Sequence, residues 1–168
     1  MYKLYPNGWI KSDENITVTT YTASEYEPEH THDFIEIQYI WNGSGYQMIN
    51  GDTVFVERGD LLFLNFETSH SIQPLPELTI TNCLLKPEFV SEELMNSENA
   101  LDMLNLSLFK DFRQDVAENL VPRIKFHGQD IVEIEVIIRS MQNEFDLKLP
   151  GYRTVLKSYV YILMTKIF

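Results

Sequence analysis

Between residues 16 and 85 the chain is cut into short apolar runs by turn residues, and no helical periodicity competes there. Runs at 16–21, 34–41, 46–49, 53–56, 61–66 and 78–85 are rich in β-branched and aromatic residues and read as strands. Asn42-Gly43-Ser44-Gly45, Asn50-Gly51 and Glu57-Arg58-Gly59-Asp60 supply the turns, and Asn50-Gly51 is a favoured two-residue hairpin turn. Glu25 to Glu29 reads as an acidic loop, and Pro74 and Pro76 as a second loop. Strands this short and this closely spaced fold as an antiparallel sandwich or a small barrel.

The texture changes after Pro87. Leu94, Leu101, Leu104 and Leu108 have helical spacing, and residues 123–126 read as one strand returning to the barrel. From Asp130, the residues Ile131, Ile134, Ile137, Ile138, Met141 and Phe145 step by three and four, which predicts an amphipathic helix. Leu149-Pro150-Gly151 stops it, and residues 152–168 form a second helix with Val155, Leu156, Tyr159, Ile162, Leu163 and Ile167 on one face. So short a break makes the two helices antiparallel neighbours. The second helix runs to Phe168 with no capping residue, so the chain is expected to be a piece of a longer protein. Three units follow: 1–88, a β-barrel with an N-terminal arm; 89–129, a connecting segment packed on it; and 130–168, a helical hairpin. The first residues, with Tyr2, Leu4, Tyr5, Trp9 and Ile10 around Pro6-Asn7-Gly8, form either a lid over a pocket or a strap on a sheet edge.

Composition excludes several function classes. The chain has 168 residues, is 44% hydrophobic and carries a net charge of −12. Residues 130–168 balance five acids against five bases, so the acidic excess lies entirely in 1–129. That surface repels phosphate and is not expected to bind nucleic acid. A lone cysteine, Cys83 in an apolar run, rules out an internal disulfide and a cysteine metal cluster, and its expected role is inert packing. No secretory leader is visible and no apolar run approaches the roughly 18 residues of a membrane span. A cytoplasmic protein with no membrane partner is the expectation.

Three of the four histidines fall between residues 30 and 70. Alternate residues of a strand share a face, so His30, His32, Phe34, Glu36, Gln38 and Ile40 have one parity and point into one cavity. With His70 they form either a set of metal ligands or the polar wall of a small-molecule pocket. Gln38 belongs in the pocket, because a buried amide without partners is costly. Trp41 and Tyr46, on either side of the glycine pair, offer aromatic faces, and Trp9 can close the arm over a ligand.

These residues carry a resemblance. His30-x-His32-x3-Glu36-x6-Gly43 resembles the first cupin motif, and Gly59-Asp60…Asn65…His70 the second. Asn65 stands where that motif usually has proline, and Ser24 where a glycine is expected. With the helix pair behind it, the chain resembles the N-terminal sensor half of AraC/XylS-type bacterial transcription regulators. The resemblance implies a cupin-like barrel (a double-stranded β-helix), mainly β with an α appendage. It also implies a small organic effector, commonly a sugar, held by His30, His32, Glu36, Gln38, Trp41, Tyr46, His70 and Trp9. No cofactor and no catalysis go with that reading. A homodimer through 130–168, with Ile137 and Leu163 in its seam, completes it, and DNA is bound only by a C-terminal region beyond this chain. The alternative from another class is a metal-dependent cupin enzyme, a dioxygenase, isomerase or lyase, with His30, His32, Glu36 and His70 as ligands.

Overall fold

The structure, a computed structural model, describes residues 2–4, 6–65, 68–86, 88–89 and 123–167. The elements are β1 (Tyr2–Leu4), α1 (Pro6–Trp9), β2 (Ile16–Ala23), β3 (Glu27–His32), β4 (Ile35–Ile49), β5 (Asp52–Glu57), β6 (Asp60–Leu64), β7 (His70–Leu85), β8 (Arg123–Lys125), α2 (Gln129–Leu147) and α3 (Tyr152–Ile167). The architecture is mainly β, a cupin-like barrel carrying a helix pair. The helices expected between residues 91 and 121, and the end of the last helix at Phe168, lie outside the described residues.

Two long strands organise the barrel. β4 and β7 pair antiparallel from Ile35↔Leu85 to Ile49↔His70. β7 also pairs with β2 along Ile16–Ala23 and with β3 near His70. β4 also pairs with β6 at its start and β5 at its end. The Asn50-Gly51 turn is as expected, with both residues at positive φ (50° and 91°).

Three expected breaks are instead inside strands. The turn at Asn42–Gly45 is an irregularity within β4, where the register against β7 shifts on both sides of Gly43. Gly43 has φ 79°, and a Cβ there would lie 2.1 Å from the Glu77 carbonyl oxygen. The glycines therefore let two backbones cross closely instead of reversing the chain. Pro74 and Pro76 lie inside β7, where this irregular pairing tolerates residues that donate no N–H. Most of the expected acidic loop is β3, which gains a parallel partner in β1 that the sequence pattern did not reveal.

The sheet residues divide by parity. Ile16, Val18, Ile35, Ile37, Tyr39, Leu61, Phe63, Cys83 and Leu85 face a layer made by Ile134, Ile138 and Met141 of α2 and Leu156, Val160, Leu163 and Met164 of α3. Burying each such side chain stabilises the fold by about 2 kcal/mol, whereas an ion pair with an exposed arginine such as Arg58–Glu135 is screened by solvent and contributes less. Apolar packing therefore holds the helices on the sheet. The helices are antiparallel, since Lys166 of α3 meets Glu133 at the start of α2, 2.8 Å away. Leu163, expected in a dimer seam, is 1% exposed and spent on the sheet, and Ile137 packs at the edge of the same core. The outward apolar residues are Val132, Val136 and Leu147 of α2 and Val155 and Ile162 of α3.

Inside the barrel, Ile40, Ile49, Val56, Leu62, Leu64, Ile72, Leu78 and Ile80 fill one end. The other end is polar. The N-terminal arm closes over it and is anchored beyond it by Glu14, buried at 3% exposure. Glu14 accepts hydrogen bonds from Lys148 Nζ and Tyr152 Oη, both 2.6 Å. Burial alone would raise its pKa, but these partners outweigh it and hold the carboxyl below its usual range. Cys83 packs in the core, where burial pushes its thiol up to about 12.

Candidate functional site

The polar end of the barrel opens into a cavity of about 490 Å³. Its floor comes from β4 and β7: Glu36, Gln38, His70 and Asn82. Its side wall comes from β2 and β3: Thr17, Thr19, Tyr21, Glu27 and His30. Tyr2, Leu4 and Trp9 of the arm, with Phe34 and Leu84, supply the apolar surface. The Tyr2 ring stacks on His30 with centroids 5.4 Å apart, so the arm both straps the edge of β3 and covers the cavity.

Glu36 is the centre of the floor. One of its oxygens accepts a hydrogen bond from Gln38 Nε2 at 3.1 Å, and Gln38 in turn accepts one from Gln47 Nε2 at 2.9 Å. The other oxygen lies 3.3 Å from His32 Nε2 and 3.5 Å from His70 Nε2. His32 Nδ1 faces the Phe34 carbonyl at 2.6 Å, and a carbonyl only accepts. Nδ1 therefore carries the proton, and Nε2 turns a lone pair toward Glu36. Burial holds the His32 imidazolium pKa down at about 4 and that of His70 well below its ordinary value. Burial pushes the Glu36 carboxyl up to about 7, despite the Gln38 hydrogen bond that favours its ionised form. Both imidazoles are thus uncharged at neutral pH, and Glu36 is held above its ordinary range. Two acceptors at this distance need a proton or a cation between them.

Those same atoms fit a metal. His32, Glu36 and His70 each offer one ligand atom, all within 4.8 Å of one another. The Nδ1–H bond of His32 to a carbonyl is the orientation that metal-binding imidazoles require. His30 is not in this group, although its Nδ1 likewise faces a carbonyl, that of Pro28 at 2.9 Å, and its ring lies 4.2 Å from that of His70.

Of the eight residues expected around an effector, His30, Glu36, Gln38, His70 and Trp9 line the cavity, and His32 lies directly behind Glu36. Trp41 and Tyr46 are placed elsewhere. Trp41 shares the parity of Ile37 and Tyr39, so it faces the helices, where Nε1 donates to Thr81 Oγ1 and the Arg139 guanidinium sits 5.1 Å above the ring. Tyr46 follows the irregularity at Gly43, beyond which the inward parity changes from even to odd. Gln47 and Ile49 turn in, and Tyr46 turns out onto Phe55, 5.4 Å away. Sequence reasoning missed Thr17, Thr19, Tyr21, Glu27 and Asn82. The alternation of Thr17, Thr19 and Tyr21 against Ile16 and Val18 was a usable signal for three of them. Among the described residues, both His70 nitrogens and Asn82 Oδ1 are buried without a hydrogen-bond partner.

Comparison with known proteins adds the following. The sequence matches the family described as the AraC-like ligand binding domain over residues 16–105. It is 30% identical over 87 residues to the HTH-type transcriptional activator RhaR of Escherichia coli (strain K12), a match taking 51% of this chain and 31% of that protein. The match thus spans about a third of the length of that relative. Solved structures with some likeness include the conserved SPY1581 protein of unknown function from Streptococcus pyogenes (15% identity, TM-score 0.42, covering 46% of this chain and 69% of that one). Another is an RmlC-like cupin from Shewanella frigidimarina (12% identity, TM-score 0.41, covering 42% and 66%). Among the described residues no helix is long and apolar enough to cross a membrane.

Proposed function

The chain belongs to the AraC-like ligand-binding domain family, and from that premise we propose that it is the effector-sensing unit of a bacterial transcription regulator. A small polar organic molecule, a sugar or a related metabolite, binds inside the barrel against Glu36, Gln38, His70, His30 and Asn82. The observation that carries this reading is the cavity itself. It is large enough for a monosaccharide, walled by apolar and aromatic surface, and floored by the polar side chains of Glu36, Gln38, His70 and Asn82. The protein works in the cytoplasm and is not an enzyme. DNA is read by a separate region, consistent with an acidic sensor that repels phosphate. Because the arm lines the cavity and is tied through Glu14 to the α2–α3 turn, a ligand that orders the arm bears on the helix pair. Screening a library of sugars and polyols by thermal unfolding tests this. Stabilisation by at least one compound is expected, and none would count against the sensor reading.

The homodimer through residues 130–168 is part of the proposal, with its seam moved to the outward face. Val132 and Val136 are 50% and 59% exposed one helical turn apart. Sedimentation is expected to show a dimer that the double substitution Val132→Glu, Val136→Glu converts to a folded monomer. A monomeric wild type at micromolar concentration contradicts this.

A second reading is favoured by one observation, the convergence of His32, Glu36 and His70. These residues would hold a divalent ion, which would supply Lewis-acid activation of a bound substrate as in a cupin dioxygenase, isomerase or lyase. Near-stoichiometric metal in purified protein, lost in His32→Ala, would favour that reading.

A further inference from the structure

We propose that the molecule this cavity takes is a hydroxylated amine, an amino sugar or a close analogue, with its ammonium group seated at Glu27 beneath the aromatic rim. This rests on the sensor reading and narrows its ligand class.

The charge pattern of the wall carries the inference. Two carboxyl groups, Glu27 and Glu36, line the cavity, and among the described lining residues there is no lysine or arginine. An anionic ligand such as a sugar acid or a phosphate ester would be desolvated against these acidic groups with no lysine or arginine among the described lining residues to offset it, which is costly.

Glu27 and Glu36 differ in role. Glu36 is on the floor and already engaged with Gln38, His32 and His70. Glu27 is half-buried on the side wall. Its hydrogen-bond donor is the Tyr21 hydroxyl at 3.3 Å, long for an O–H···O bond. That leaves most of its acceptor capacity for a stronger donor. Burial already pushes its carboxyl above the ordinary range. A neutral ligand displacing water there would leave the carboxylate less compensated still, whereas an ammonium would compensate it through charge-assisted hydrogen bonds.

The rest of the wall suits the same molecule. Tyr21 contacts Glu27, the rings of Tyr2 and Trp9 line the same cavity, and a cation gains from aromatic faces. Tyr2 and Trp9 are 49% and 55% exposed, so they are open to an incoming ligand. The hydroxyl groups of the ligand would meet the polar side chains of Gln38, His70 and Asn82 on the floor. The acidic excess of the chain favours approach of a cation over that of an anion.

The test is binding to the full 168-residue chain at neutral pH, by calorimetric titration and thermal unfolding. The probes are matched triplets: glucosamine, glucose and glucuronic acid, and the galacto and manno counterparts. Binding of an amino sugar about tenfold or more tighter than its neutral parent is expected, with no binding of the uronic acid. In Glu27→Gln that preference is expected to vanish while the unfolding temperature without ligand stays near wild type. Equal or tighter binding of a neutral sugar, or any binding of a uronic acid, overturns the amine assignment and leaves the sensor reading standing. An amine preference untouched by Glu27→Gln overturns the seat. Should Glu27→Gln not fold, the wild-type preference across the triplets decides alone. No binding of any sugar or polyol overturns both readings.

Discussion

Replacing Gly43 with valine is expected to cost about 4 kcal/mol of unfolding free energy, and with it the cooperative transition at ambient temperature if the protein is of ordinary stability. Two costs add. Gly43 sits at φ 79°, a left-handed conformation that a β-branched residue scarcely adopts. Its Cβ would lie 2.1 Å from the Glu77 carbonyl oxygen and 3.3 Å from Leu78 Cα, which are backbone atoms of a paired strand and cannot swing aside. The irregularity at this point also resets which side chains face inward, so forcing β4 and β7 apart removes Gln47 from Gln38 and disturbs the floor of the cavity. Gly51→Ala is the control. That residue has φ 91° but nothing within 4 Å of a Cβ, so only the conformational cost remains, about 1 kcal/mol. Urea denaturation of the two variants checks this. A Gly43→Val protein within about 1 kcal/mol of wild type would mean that the crossing is not close.

The second large effect is in pH. The Glu36 carboxyl is held up at about 7 in the folded protein against 4.5 as its ordinary value. The folded state therefore keeps a proton that the unfolded state has released, and stability from this group falls as pH rises from about 4.5 to about 7, then levels. The size is about 3 kcal/mol. His32 and His70 act in the opposite direction. Their folded pKa values are depressed, so the stability they contribute is present above their ordinary value of 6.5 and is lost as pH falls below it, for His32 toward about 4. The two effects oppose each other over most of the acid range, and wild type alone would show only their difference. Glu36→Gln separates them. The glutamine keeps the shape and the contact with Gln38 but does not titrate, so the variant gains on wild type steadily between pH 4.5 and 7 and holds that gain above. A stability difference that does not change with pH would mean that Glu36 is ionised throughout and compensated by a cation.

The strand alternation and the Asn50-Gly51 turn made the barrel legible, and the three- and four-residue steps after Asp130 made both helices legible. What the sequence concealed depended on partners far away in the chain. A glycine pair that reverses a chain and one that lets two strands cross look alike until Glu77 is brought beside Gly43. Acidic residues 25–29 look like a loop until Tyr2–Leu4 lies alongside as β1. The same limit applies to the site. His32, Glu36 and His70 were found by parity and by the motif spacing. Trp41 and Tyr46 were misplaced because one rests on the helix-facing side of the sheet and the other follows the parity change at Gly43. The apolar stripes of the helices, read as a dimer seam, are taken up by the sheet, an outcome that a helical wheel cannot distinguish from an interface.

Ligand binding compared between wild type and Thr19→Trp bears most directly on the central claim. Thr19 is exposed at the cavity edge on β2, where an aromatic side chain is compatible with a strand and would occupy the opening. The account predicts that the sugar or amine which stabilises wild type will fail to stabilise Thr19→Trp, while the unliganded variant unfolds near the wild-type temperature. Equal stabilisation of both proteins would contradict it, because the ligand would then be bound somewhere other than inside the barrel.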